Sequence, residues 1–182
     1  MIKMILAAAA LALAACGDNG GGGVMQEIER AEKADADAAS QASGRSVEWL
    51  AETRAQAGVE ALPSGLLIER RARGRNQALP RPTENATALV HYEGKLATGE
   101  VFDSSFARGE PAEFPLGAVV PGFAEAITQM RPGDEIVATF PMELGYGPEG
   151  RPPAIPPAAA LQFRIILLAF QEPGGQTVQA PQ

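Results

Sequence analysis

The stretch that decides the fold is VHYEGKLATGEVFDSS, residues 90–105. Its first half alternates apolar with polar residues, which is typical of a strand with one buried face, and Tyr92 lies on that face. The threonine-glycine pair that follows has turn chemistry, so we expect the chain to return as a second strand ending at Phe102 and Asp103. An aromatic residue beside an acid at a strand end favours the rim of a concave apolar site.

Other segments on both sides of this hairpin carry the same kinds of signal. Further strands are predicted at residues 66–69, 112–116, 134–140 and 161–170, and a short helix at 123–130, where apolar residues recur at helical spacing. The connections are too short for repeated parallel crossovers. We therefore predict an α+β fold: a curved antiparallel β-sheet of five to six strands, wrapped around one short helix and preceded by a helical arm.

The composition narrows the classes of function. The chain has 182 residues, enough for one domain with appendages, and a formal net charge of -7 that disfavours nucleic acid as a partner. A single histidine and a single cysteine exclude most zinc sites, and the sequence holds no glycine-rich phosphate motif. We therefore expect neither a metal nor a cofactor.

The amino terminus resembles the leader of a bacterial lipoprotein. Lys3 precedes an apolar run over residues 4–15, which is too short to span a bilayer and indicates a signal peptide over 1–15. The run ends in LAAC, where Cys16 is the residue to be acylated, and a lipidated glycine-rich tether follows over 16–23. The alternative is a buried helix with an incidental cysteine. The glycine after the cysteine resembles an outer-membrane address, so the expected protein is exported and lipid-anchored in the cell envelope, facing the periplasm.

Residues 24–60 are predicted to form a helical arm, because they are rich in alanine, glutamate, glutamine and arginine and free of proline. Ser46 is the expected N-cap of its second part, and Gly58 is the expected stop. The apolar stripe is thin, which favours a solvated arm; the alternative is an arm that dimerises or grips substrate. The globular domain is predicted at 62–171, and the polar tail at 172–182 is expected to be disordered.

Nine aromatic and aliphatic residues fall at strand ends or in loops of the predicted sheet. They are Tyr92, Phe102, Phe114, Val119, Val120, Phe123, Tyr146, Ile155 and Phe163. Each on its own is expected in the core, since large apolar residues are usually buried for packing alone. Together they indicate a cup lined by aromatic rings, the usual form of a site for a small apolar ligand.

Five short motifs in this region resemble the FKBP-type peptidyl-prolyl cis-trans isomerases. They are VHYEG at 90–94, FDSS at 102–105, VVPGF at 119–123, GYG at 145–147 and AIPP at 154–157. The motifs occur in the order and spacing of that family and cover residues 86–170. Residues 57–66 also resemble the joint between a helical arm and the catalytic domain in exported bacterial members. The resemblance implies a curved antiparallel sheet around a short helix, as the alternation pattern does.

The resemblance implies an enzyme that accelerates rotation about X-Pro bonds in exported proteins, with neither a covalent intermediate nor a cofactor. This rotation has a barrier of about 20 kcal/mol, because the amide loses its resonance. A dry apolar cup that holds the prolyl ring favours the twisted amide, whose carbonyl is less polarised, over the planar amide.

The resemblance also implies roles for single residues. The catalytic set is Tyr92, Phe102, Asp103 and Tyr146, and the substrate-binding set is Phe114, Val119, Val120, Phe123, Ile155 and Phe163. The Val120 N–H and the Tyr146 hydroxyl are expected to hold the substrate carbonyl, while Ile155 closes the cup from its loop. The Asp103 carboxylate either faces the rotating carbonyl or orients Tyr92. A purely structural role for this carboxylate, as a strand-end hydrogen-bond acceptor, stays open.

The expected partners are proline-containing polypeptide clients, with macrolides as candidate ligands, the membrane through the lipid anchor, and a second copy of the chain through the arm. Phe123 stands where the family usually has a tryptophan, which implies a smaller floor for the cup. Two alternatives stay open. One is a non-catalytic holdase or chaperone lipoprotein that binds peptides, and the other is a structural envelope lipoprotein with an idle fold.

Overall fold

The computed structural model describes residues 21–181. The predicted signal peptide, Cys16 and the first part of the predicted tether therefore lie outside the described residues. The chain divides into two units, one ending at Ala36 and one spanning Asp37–Gln182. Across residues 21–181, every helix is too short or too polar to cross a membrane.

Three α-helices and eight β-strands occur in the described residues. The helices are α1 (Gly21–Arg54), α2 (Ser105–Arg108) and α3 (Pro121–Thr128). The strands are β1 (Val59–Ala61), β2 (Leu67–Ala72), β3 (Thr87–Leu96), β4 (Val101–Ser104), β5 (Ala112–Pro115), β6 (Glu135–Phe140), β7 (Leu161–Gln171) and β8 (Thr177–Gln179).

The strands form one antiparallel sheet. Six of them follow one another in the order β1-β2-β6-β7-β3-β4, while β5 pairs with β3 and β8 pairs with β7. The longest pairing joins β3 to β7 and runs from Thr87, opposite Gln171, to Leu96, opposite Leu161. The predicted α+β fold with an antiparallel sheet and a short helix is confirmed, with two short strands added beside the six ordered ones.

Helix α3 packs on the inner face of this sheet. Pro121 occupies its first turn, where the fixed φ of proline is already helical and its missing N–H leaves no partner unsatisfied. The side chains of Phe123, Ile127 and Met130 are buried against the inward-facing residues of β3, β6 and β7. The helix therefore begins two residues before the predicted 123–130 segment, at its proline.

The expected N-cap role of Ser46 is wrong, because α1 continues through this residue without a break. The Ser46 hydroxyl donates to the carbonyl of Ala42 at 2.9 Å, one turn earlier, and accepts from the N–H of Ala160 at 2.9 Å. A serine inside a helix can bond back to its own backbone in this way and still offer a lone pair. Ser46 thus connects the helix to the segment before β7.

The two ends of the predicted domain also differ from expectation. Helix α1 ends at Arg54, and the last residues of the predicted arm form β1, which pairs with β2. The tail predicted to be disordered contains β8, whose Val178 lies opposite Phe170 of β7 and packs against the core. One half-buried valine and backbone pairing to a central strand therefore order this part of the polar tail.

Asp134 ties the turn after α3 to the loop after β2. Its Oδ1 accepts from the N–H of Gly74 at 2.7 Å and from the Gln77 amide at 2.9 Å, and its Oδ2 accepts from the N–H of Arg131 at 2.9 Å. The carboxylate is 2% exposed. Burial opposes its ionisation, but these hydrogen bonds outweigh burial and hold the pKa of Asp134 below its ordinary value.

We expect Asp134→Asn to lower the free energy of unfolding at pH 7 by about 1–3 kcal/mol, because the amide donates towards an N–H that needs an acceptor. The wild-type contribution is present above the ordinary carboxyl pKa of about 4 and is lost as the pH falls through the lower folded value. The variant should therefore show a flatter acid limb in urea unfolding between pH 2 and pH 7. Glu135→Gln is the control, since its ion pair with Arg164 is partly exposed and worth about 1 kcal/mol or less. An unchanged acid limb in the Asp134 variant would contradict the assignment.

Candidate active site

The inner face of the sheet and the start of α3 enclose a cavity of about 320 Å³. Its walls come from β3, β4, β5 and β7, from α3 and from two loops. The lining residues are Tyr92, Phe102, Asp103, Phe114, Ala118, Val119, Val120, Phe123, Tyr146, Arg151 and Phe163. Nine of the ten residues that the sequence singled out for this site line one cavity; the tenth, Ile155, does not.

Five of the six aromatic rings that line the cavity form one cluster of ring contacts. Phe123 is the hub, with its ring centroid 5.0 Å from Phe163, 5.7 Å from Phe114 and 5.8 Å from Tyr92. Phe102 meets Phe163 at 5.5 Å, edge to face. Edge-to-face pairs of this kind are worth about 0.5–1.5 kcal/mol beyond the area that they bury, so the rings stabilise one another around the cavity.

The β3 strand provides both the central ring and the space around it. Alternation places Tyr92 and Gly94 on the buried face, where Gly94 lies opposite Asp103 on β4 and opposite Phe163 on β7. A Cβ atom at Gly94 would lie 2.5 Å from Cζ of Phe102 and 2.9 Å from Cε1 of Phe163. The absence of a side chain at this residue therefore lets both rings approach the strand.

One polar cluster stands at the edge of the aromatic interior. The Tyr92 hydroxyl donates to Oδ2 of Asp103 at 2.5 Å. Arg108, at the end of α2, donates to Oδ1 of Asp103 at 2.6 Å and to the Tyr92 hydroxyl at 3.0 Å. Helix α2 is set by Ser104, whose hydroxyl accepts from the N–H of Ala107. The acid at the strand end is thus held between a phenol and a guanidinium.

The side chains of Tyr92, Asp103 and Arg108 shift one another's pKa values. Burial opposes ionisation of the Asp103 carboxyl, but the hydrogen bonds from Tyr92 and Arg108 and the charge of Arg108 outweigh it, so the pKa of Asp103 lies below its ordinary value. Burial, followed by the hydrogen bond to Asp103, raises the pKa of the Tyr92 phenol above 10.0, although Arg108 acts in the opposite direction. At neutral pH the site therefore presents a carboxylate and a neutral phenol.

Two residues with candidate hydrogen-bond donors, Val120 and Tyr146, also line the cavity. Val120 precedes α3, and its carbonyl accepts from the N–H groups of Phe123 and Ala124. Within residues 21–181 the N–H of Val120 has no backbone or side-chain acceptor. The Arg151 guanidinium lies 6.0 Å from the ring centroid of Tyr146. The expected roles of Val120 and Tyr146 as donors to a substrate carbonyl stay predictions.

The expected role of Ile155, which is to close the cup from its loop, stays a prediction. Its side chain is 3% exposed and belongs to the core. Its backbone pairs with that of Arg151 in both directions, at 2.8 and 3.0 Å. Arg151, the bridge partner of Ile155, is the residue of this loop that lines the cavity.

Sequence reasoning missed three residues of the site: Ala118, Arg151 and Arg108. Ala118 and Arg151 line the cavity from a 3-10 turn and a loop, where no periodic pattern marks an inward-facing residue. Arg108 could have been predicted from the local sequence. It lies four residues after Ser104, which caps α2, and because α2 is so short its last residue stays close to Asp103. Among the described residues, no group of three or more His, Cys, Asp or Glu side chains is placed to hold a metal ion.

Sequence comparisons identify relatives of this chain. The model of a family described as FKBP-type peptidyl-prolyl cis-trans isomerase matches residues 80–168. The FKBP-type 22 kDa peptidyl-prolyl cis-trans isomerase of Escherichia coli strain K12 is 45% identical over 122 residues, which cover 67% of this chain and 58% of that protein. The chain thus spans little more than half the length of this relative.

Solved structures show the same similarity. A peptidyl-prolyl cis-trans isomerase from Pseudomonas syringae pv. tomato has a TM-score of 0.66 and 30% identity, covering 75% of this chain and 96% of that one. The crystal structure of FkpA from Escherichia coli has a TM-score of 0.72 and 27% identity, covering 90% of this chain and 76% of that one. The second match extends beyond the sheet into the helical region before it.

Proposed function

The chain belongs to the FKBP-type peptidyl-prolyl cis-trans isomerases, in a form with an amino-terminal helix, and on this premise we propose that it accelerates X-Pro bond rotation in proline-containing polypeptides. The observation that carries the proposal is the cavity of about 320 Å³, which six aromatic residues line and which has space for one small apolar ring. This volume lies at the lower end for ligand sites, which suits a prolyl ring.

The proposed mechanism uses desolvation of the amide. The prolyl ring enters against Phe123 and Phe163, and the flanking amide loses water as it enters. A planar amide is more polar than a twisted one, so removing water raises the energy of the planar ground state more than that of the transition state. The Val120 N–H and the Tyr146 hydroxyl bind the carbonyl next to the rotating bond, while the Asp103 carboxylate holds the Tyr92 phenol in its orientation.

The first test is protease-coupled turnover of a short Ala-Leu-Pro-Phe peptide by the full chain. We expect the cis-to-trans rate to rise linearly with protein concentration above the uncatalysed rate. A rate equal to the uncatalysed one across the concentration series would refute the proposal. Macrolide binding is a secondary expectation, and the phenylalanine at residue 123 supports a preference for small ligands over large ones.

We expect the catalysed rate to be flat from about pH 5 to pH 9, because Asp103 is ionised and Tyr92 is neutral throughout this range. The rate should fall as the pH drops below about 4 and the Asp103 carboxylate is protonated through its lowered pKa. Asp103→Asn should reduce kcat/KM about three- to tenfold at pH 7, the effect of about 0.7–1.4 kcal/mol for a partly exposed charged hydrogen bond, and should remove the acid limb.

Protease-free NMR exchange measurements on a peptide without ionisable side chains provide this profile. Glu100→Gln is the matched control, since Glu100 is an exposed acid in the hairpin turn and outside the cavity. A wild-type acid limb that persists in the Asp103 variant would show that another group titrates.

We also propose that the protein is exported and lipid-anchored in the envelope, facing the periplasm. The support is the sequence itself: an apolar run behind Lys3 that ends in LAAC at Cys16. Cys16→Ser is expected to move the protein from the membrane fraction to the soluble fraction in labelled cells. A variant that stays with the membrane would contradict acylation at this residue.

The amino-terminal helix supports a proposal of homodimerisation. In the unit that ends at Ala36, Val24, Met25 and Ile28 are 61%, 60% and 47% exposed and recur at helical spacing. A second copy of this helix would cover that face. Met25→Lys combined with Ile28→Lys should shift the sedimentation coefficient of the full chain from dimer to monomer, and a wild-type monomer at micromolar concentration would refute the proposal.

The same exposed face favours a holdase as the second candidate function. Such a face can bind unfolded chains independently of the prolyl cavity. Suppression of aggregation of a proline-free client, surviving Phe123→Leu, would support this candidate. Loss of that suppression in the Met25 and Ile28 double variant would assign it to the helix.

A further inference from the structure

A groove of about 520 Å³ lies on the other side of the first turn of α3 from the aromatic cavity. Residues that line it include Glu84, Leu116, Val119, Pro121, Ala124 and Glu125. Val119 borders both spaces, whereas Phe123 faces only the cavity and Ala124 only the groove. A bound polypeptide that extends from the cavity past Val119 would therefore enter the groove directly.

The floor of the groove is apolar and its rim is acidic. Leu116 is 1% exposed and forms part of the floor, while the carboxylates of Glu84 and Glu125 stand among the lining groups. The Ser64 hydroxyl donates to Oε1 of Glu125 at 2.8 Å, which fixes that carboxylate in place. The described chain offers no salt-bridge partner to either glutamate.

Arg70 donates to the carbonyl of Gln129 at 3.3 Å, and Arg131 donates to the carbonyl of Leu79 at 2.8 Å; neither arginine lines the groove. The lining residues carry two acids and no basic side chain. An arrangement with an apolar floor and an unneutralised acidic rim attracts an extended segment that carries a lysine or arginine.

We propose that this groove is a subsite for the client polypeptide, in which a basic side chain two to three residues from the bound proline lies between Glu84 and Glu125. The spacing follows from an extended chain, which covers about 3.3 Å per residue and must cross the width of one valine side chain. The subsite rests on the proposed isomerase function, because it extends the prolyl cavity. It would make turnover depend on the charge of the client beside its proline.

The test uses the full chain and proline peptides with Lys, Gln or Glu placed two or three residues before or after the proline. NMR exchange spectroscopy gives kcat/KM without a protease, whose own charge preference would interfere. When the variable residue lies on one particular side of the proline, we expect the Lys peptide to be turned over about two- to fivefold faster than the Gln peptide. This is the effect of one exposed ion pair. This preference should shrink in high salt.

Glu84→Gln with Glu125→Gln should remove the preference for lysine. Glu60→Gln with Glu100→Gln is the matched control, because it changes net charge by the same amount at exposed residues outside the groove and should keep the preference. Equal turnover of Lys and Gln peptides by the wild type would overturn the subsite and leave the isomerase function standing.

Amide shifts give a second readout that does not depend on turnover. The Lys peptide should shift the signals of Thr128 and Gln129, which line the groove, and the Gln peptide should shift them less. If no peptide is turned over, the isomerase function fails, and unshifted groove signals then overturn the subsite as well. Equal shifts from a proline-free Lys peptide would make the groove an independent cation site and would also overturn the proposal.

Discussion

Phe123→Ala is expected to lower kcat/KM for X-Pro isomerisation at least tenfold. Phe123 contacts three other rings of the cavity and is 4% exposed, so its removal opens the floor to water. Losing the contact of one large side chain with the prolyl ring costs about 1.5–3 kcal/mol, which is about ten- to a hundredfold in the rate. The protease-coupled assay measures this loss.

The same change also removes core packing, at a cost of about 3–5 kcal/mol in stability. Phe123→Leu keeps more of the packing and should still reduce kcat/KM several fold. Phe140→Leu is the matched control: Phe140 is fully buried, stacks 5.7 Å behind Phe163 and does not line the cavity. If both leucine variants lost stability and activity in parallel, the cavity floor would have no separate role in catalysis.

Gly94→Ala is expected to narrow the cavity although it replaces none of the side chains that line it. The added Cβ would lie 2.5 Å from Phe102 and 2.9 Å from Phe163, so these rings must shift, and we expect the shift to narrow the space for the prolyl ring. Overpacking of a filled interior costs about 1–3 kcal/mol in stability, and we expect kcat/KM to fall about tenfold as the cavity narrows. Urea unfolding and NMR exchange measure the two effects separately.

Gly44→Ala is the control for a glycine-to-alanine change as such. Gly44 lies within α1, where a Cβ has no neighbour within 4 Å, so alanine should raise stability by up to about 1 kcal/mol and leave turnover unchanged. A Gly94 variant with wild-type turnover would show that the rings relax around the methyl group.

The central hairpin and the short helix could be predicted because their signals are local. Alternation over residues 90–96 decides which face of β3 is buried, and a proline followed by apolar residues at helical spacing marks α3. The antiparallel order follows from short connections. None of these features depends on a residue distant in the sequence.

The site could be predicted only in part, since convergence of side chains is a property of the folded sheet. The prediction that Phe102, Phe123 and Phe163 bind substrate in one cup came from the resemblance to a family and not from periodicity. Arg151 reaches the cavity from a loop whose place is fixed only by folding, whereas Arg108 lies five residues from Asp103 and could have been predicted from the local sequence. The burial of Ile155 likewise follows from a loop conformation that no pattern in the sequence marks.

The hydrogen bond between Ser46 and Ala160 determines how far the chain can be shortened from its amino terminus. A fragment that starts at residue 62, the domain boundary that the sequence predicts, would leave the Ala160 N–H without its acceptor and uncover Ala159 beside it. Losing that partner costs about 1–3 kcal/mol if the group stays buried. The shortest autonomous version of this protein should therefore start upstream of Ala42, and expression trials should place their truncation points there.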